Sequence, residues 1–79
     1  MTLWDGENSN SYILKQIMLE EILERRLEAL GLNEGTVVTI MNKKKSGAMI
    51  VKVRGTRLAL GKHITSQIEV ESKKEKDNE

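Results

Sequence analysis

The stretch Leu19–Gly35, LEEILERRLEALGLNEG, constrains the fold more than any other part of the chain. At about 100° per residue, Leu19, Ile22, Leu23, Leu27 and Leu30 share one stripe, with Glu20, Glu21, Glu24 and Glu28 opposite. That spacing predicts an amphipathic helix of about three turns. Its end is also written locally. Gly31 stands where the chain must turn left-handed, a conformation that costs glycine no steric clash. With Leu30 as the C-cap, Leu32 and Leu27 become the pair that packs in a Schellman ending. Glu34-Gly35 then fits the centre of a type II turn into a strand. Gly31, Leu32 and Gly35 are thus expected to be structural residues. Helix, stop, turn and strand describe a scaffold and name no chemistry.

The rest of the chain reads as short strands. Ser11–Ile17 is a plausible strand, and Thr36–Met41 is the most β-branched segment. Asn42–Gly47 is a polar loop, after which Ala48–Val53 should pair back as a hairpin. Alternation places Met49, Val51 and Val53 on one face, with Ile50, Lys52 and Arg54 on the other. Arg54-Gly55-Thr56 turns tightly into Thr56–Leu60, Lys62–Ser66 fits a single 3-10 turn, and Gln67–Glu71 closes with Ile68 and Val70 inward. Met1–Asn10 reads as an edge segment and loop, with Leu3 and Trp4 packing back. The expected fold is mainly β with one helix: a small barrel of about five strands, the helix packed across one end. Five buried stripe residues at about 2 kcal/mol each would contribute about 10 kcal/mol gross, so the helix is expected to be a structural plug. Residues 1–71 form the expected domain. Ser72–Glu79 has no apolar residue and is expected to be a disordered charged tail.

Composition excludes several functions. The 79 residues contain no cysteine, so neither a disulfide framework nor a thiolate metal site is available. No basic region precedes an apolar run, and no apolar stretch approaches the roughly 20 residues of a membrane span, so neither a secretory signal nor membrane insertion is expected. Thirteen basic and twelve acidic residues give a net charge of +1, with little long-range pull on nucleic acid. Catalysis finds no support: there is one histidine and no serine beside a plausible base. Gly-rich phosphate loops are absent. With Trp4 and Tyr12 as the only aromatics, neither a proline-peptide groove nor a base-stacking platform is expected.

Four groups of side chains stand out. Arg26 falls within the leucine stripe, flanked at helical spacing by Ile22, Leu23 and Leu30, and lacks a local carboxylate, whereas Arg25 has Glu21 and Glu28. Arg26 either satisfies itself internally or meets an acidic group on a partner. His63 has no Asp, Glu or Cys at ligand spacing, and Asp5 with Glu7 falls short of an oxygen cage, so no bound metal or other cofactor is expected. Lys43, Lys44 and Lys45 form the strongest charge cluster, either a solubilised loop tip or a contact for phosphate or an acidic patch.

RRLEALGLNEGT, followed by TVVTI, IVKVRGTRLAL and QIEV, resembles the signature of the FeoA family over roughly Tyr12–Val70. The chain carries DGENSN where relatives have a Lys-Pro-Gly turn, and KKKSGA where they have a Gly-x-Pro stretch. The resemblance implies a small SH3-like β-barrel, of the type that also ends iron-dependent repressors resembling DtxR. It implies a non-enzymatic, cytoplasmic accessory for bacterial ferrous iron uptake, binding the cytosolic GTPase region of a FeoB-type transporter. The family term transition metal ion binding comes with it.

On that reading, partner contacts are expected at Arg25, Arg26 and Leu27, arginines and an aliphatic at an element's edge. Lys43, Lys44 and Lys45 are expected to steer the encounter. The alternatives are a small nucleic-acid-binding barrel, reading phosphate through the lysine clusters, and a free-standing repressor regulatory domain.

Overall fold

The computed structural model describes residues 1–73. Its strands are β1 (Ser11–Ile17), β2 (Val37–Lys43), β3 (Met49–Val53), β4 (Thr56–Leu60) and β5 (Ile68–Ser72). All pair antiparallel in one sheet of order β4-β3-β2-β1-β5. The outer strands β4 and β5 do not pair, so the barrel stays open along one seam. Register shifts between Leu14 and Gln16 and between Ile40 and Asn42 add the local bend and twist that a small curved sheet needs.

Alternation does what its period requires. Val38 and Ile40 of β2 and Met49, Val51 and Val53 of β3 all have no exposed surface, and Leu14, Ile68 and Val70 face them from β1 and β5. Arg54 and Gly55 link β3 to β4 with φ of 52° and 82°, the pair of left-handed residues that a two-residue hairpin uses. Tyr12 is buried too, and its hydroxyl accepts the Glu7 N–H at 2.8 Å. Gly6 packs so closely there that a Cβ would lie 2.5 Å from Ile40 Cδ1 and 2.7 Å from Tyr12 Cε2.

Helix α1 (Glu21–Ala29) sits at one mouth of the barrel. The other is closed by the 3-10 turn Leu3–Asp5 and by α2 (Lys62–Thr65), which bury Leu3 and Ile64. Strand β3 runs between the two ends. A Cβ on Gly31, just past α1, would lie 3.4 Å from Val53 Cγ1, whereas one on Gly47, just before β3, would lie 3.8 Å from Lys62 Cβ. Five residues of strand put these ends about 13 Å apart.

The stop after α1 has the expected bonding. Leu32 N–H donates to Leu27 C=O and Gly31 N–H to Glu28 C=O, both at 2.9 Å, with Gly31 at φ 103°. Gly35 has φ 87°, inside a turn closed by Thr36 N–H to Asn33 C=O at 2.9 Å.

Several expectations are corrected. The helix is shorter than the leucine stripe and buries less of it. Only Leu27 is buried, Leu19 and Leu23 are half-buried, and Ile22 and Leu30 are 66% and 51% exposed. The physical reason is Arg26, which lies between Ile22 and Leu30 on the helix surface. Turning that edge inward would bury an unpaired guanidinium, so the helix presents its Leu23–Leu27 side instead, and fully buried Leu32 takes up the plugging role. Lys62–Thr65 is an α-helical turn, because Thr65 N–H reaches Gly61 C=O at 3.0 Å and Ser66 N–H reaches Lys62 C=O at 2.9 Å. Strand β2 continues through Lys43, which shortens the polar loop. Strand β5 includes Ser72, paired with Tyr12, one residue past the expected Gln67–Glu71 segment. The rest of the expected tail, 74–79, lies outside the described residues.

Candidate functional site

Among the described residues, two surfaces at the two ends of the barrel carry the side chains that the sequence singles out. The first is the outer face of α1. Ile22 and Leu30 are well exposed on either side of Arg26, and Met18, in the link between β1 and α1, is 44% exposed. Among the described residues Arg26 has no ion-pair partner. Arg25 donates to Glu21 Oε2 at 2.6 Å, with both side chains about three-quarters exposed, a surface pair of little net energy. Leu27 is buried beneath the helix and offers no contact surface, which corrects its expected place at the rim. Arg54 adds a cation nearby, since its Cδ would lie 3.6 Å from a Cβ on Gly31, beside the negative end of the helix dipole.

The second surface is at the other mouth. Lys43 ends β2 half-buried, with its Nζ 5.0 Å from the centroid of the Trp4 ring. Lys62, from the start of α2, places its own Nζ 5.1 Å from the same centroid. Lys44 and Lys45 are exposed in the turn that Gly47 N–H closes onto Lys44 C=O at 2.9 Å. The lysine run is therefore not simply a loop tip in solvent: its first member is held on an indole. Nor does it share a face with Arg25 and Arg26. Trp4 and Lys62 escape a sequence reading because the three segments that meet here are far apart in the chain.

Asp5 lies next to this patch. Its Oδ2 accepts the Thr2 N–H at 3.0 Å and the Thr2 hydroxyl at 3.1 Å. These two bonds, the backbone one first, hold its carboxyl below the usual carboxylate range, and Lys43 acts in the same direction. Glu7 is exposed, and so is His63 beside Lys62. Among the described residues no group of three or more His, Asp or Glu side chains is arranged to hold a metal ion. Nor is any helix among them long and apolar enough to cross a membrane.

A family model described as the FeoA domain matches residues 1–72. The chain belongs to the FeoA family. Solved structures agree on the fold. FeoA from Chlorobium tepidum superimposes with a TM-score of 0.89 at 20% identity, over 99% of this chain and 75% of that one. Zinc-complexed FeoA from Stenotrophomonas maltophilia, described as a procaryotic SH3 domain protein, gives 0.78 at 26% identity, over 90% and 89%. A manganese-dependent transcriptional repressor gives 0.83 at 17% identity, but this chain spans only 36% of it. A comparison with curated proteins finds no match. The expected SH3-like architecture is therefore shown, as a five-stranded sheet that does not strictly close.

Proposed function

We propose that this FeoA-family chain is a non-enzymatic cytoplasmic accessory of bacterial ferrous iron uptake, and that it docks the outer face of α1 on the cytosolic region of a FeoB-type transporter. Family membership supports the role in ferrous iron transport; the Stenotrophomonas relative has itself been suggested as a ferrous iron transport activating factor. Iron is the cargo of that process, carried by the transporter.

The observation that carries the docking face is Arg26 exposed between Ile22 and Leu30. A helix that leaves two large aliphatics in water gives up about 1–2 kcal/mol of burial for each. A partner that covers them recovers this, and an unpaired arginine between them supplies a directed contact for a carboxylate. The patch is small, which fits transient rather than obligate binding.

The test is surface-plasmon kinetics against the purified cytosolic region of the transporter. Ile22→Glu with Leu30→Glu, and separately Arg26→Glu, should weaken binding about tenfold or more, about 1.4 kcal/mol. Because these positions are exposed, urea midpoints should stay near the parent's. Parent-like binding by both variants overturns the docking face.

A further inference from the structure

We propose that Trp4, Lys43 and Lys62 form a binding site for a phosphate group, with Lys44 and Lys45 extending it for longer polyphosphates. The inference does not rest on the transporter reading.

Two ammonium groups share one indole. Each Nζ lies about 5 Å from the same ring centroid, so the two charges are no more than about 10 Å apart. Each gains from the ring's quadrupole, but each also repels the other. Neither has a carboxylate within ion-pair distance among the described residues. The nearest candidate, Asp5, is engaged by Thr2 through its N–H and hydroxyl. Two positive charges are thus gathered with no carboxylate in direct contact, and Asp5 is the one negative charge that Lys43 is seen to act on.

The site is also built from fixed parts. Leu3 anchors the 3-10 turn with no exposed surface, which holds the adjacent Trp4 half-buried. Lys43 is the last residue of β2 and pairs there with Met49 of β3, and Lys62 opens a helical turn bonded back to Gly61. The ring fixes where the ammoniums sit, which lowers the side-chain entropy that an anion must otherwise remove.

The charge count selects the ligand class. A phosphate monoester carries about −1.5 to −2 near neutral pH and several acceptor oxygens, matching two ammoniums; a carboxylate matches one. Two ammoniums gathered at one indole make a site that selects by charge. Free phosphate compounds and the phosphate headgroup of a lipid offer the same chemistry.

Trp4 is the only tryptophan, so its fluorescence reads the site directly. Pyrophosphate titrated into the whole chain at constant ionic strength should give a saturable change. Lys43→Met and Lys62→Met should each raise the apparent Kd about tenfold or more, with urea midpoints as a check on folding. The double variant Lys44→Met/Lys45→Met should keep pyrophosphate binding but weaken tripolyphosphate. Vesicles of phosphatidylcholine with and without phosphatidic acid separate the sources. A response to pyrophosphate assigns a free phosphate compound; a response to phosphatidic acid vesicles alone assigns a lipid headgroup. A response that chloride reproduces at equal ionic strength, no response to either probe, or saturation unchanged in both single variants overturns the site.

Discussion

A single oxygen of Asp5 ties down the start of the chain. Oδ2 takes two donors from Thr2, and this holds the 3-10 turn that carries Leu3 and Trp4. The resulting pH dependence has a definite sign. Because the folded carboxyl titrates below its unfolded counterpart, its stabilisation is fully present above the unfolded value. It is lost as pH falls through the folded one. Asp5→Asn should therefore be less stable than the parent at neutral pH, and the gap should close on acidification below about pH 4. Urea midpoints of both proteins across that range measure it. A gap of constant size at all pH values would mean that the charge of Asp5 does not matter. At this scale the sequence is only partly legible. Leu3 and Trp4 can be read as packing back because apolar residues near a terminus have little else to do. The lysines on Trp4 cannot, because no period or spacing links Lys43 and Lys62.

Helix α1 shows where local signals suffice and where they stop. Its ending is legible because the Schellman bonds join Leu27, Glu28, Gly31 and Leu32, all within six consecutive residues. The prediction at this scale follows from that. Valine at position 31 would have to hold φ near 103°, with its Cβ already 3.4 Å from Val53 Cγ1. Gly31→Val should cost more than about 1 kcal/mol, the scale of a strained backbone residue, with a lower urea midpoint as the readout. An unchanged midpoint would show that the helix can end another way. Which part of the stripe faces the core is a different matter. Hydrophobic spacing defines an apolar arc but not how far the helix rolls within it. Here the roll is set by Arg26, whose burial would cost more than exposing Ile22 and Leu30. The strand faces were easier to read, since β3 alternates strictly and a slip of one residue would turn Met49, Val51 and Val53 to solvent.

Across the whole molecule, the two surfaces lie beyond opposite ends of β3, a strand about 13 Å long. That strand is paired on both sides, with β2 and with β4, and its three inward side chains have no exposed surface. Coupling between distant sites needs an element with two arrangements that both ligands bias. Nothing in this small sheet offers one, because moving β3 would break two ladders and unpack the core at once. The ends should therefore act independently, as sites more than about 10 Å apart usually do to within about 0.5 kcal/mol. The expected outcome is that saturating pyrophosphate at Trp4 leaves the affinity of the α1 face for the transporter's cytosolic region unchanged within about twofold. The Ile22→Glu/Leu30→Glu variant should likewise keep the parent's pyrophosphate titration. Linkage makes the two measurements a cross-check, since any coupling must appear equally in both. Partner isotherms with and without pyrophosphate, at fixed ionic strength, decide it. A tenfold shift in either direction would show that one ligand reaches both mouths of the barrel, or that β3 moves; the Lys43→Met variant separates these, because a partner that spans both ends would bind it more weakly even without phosphate.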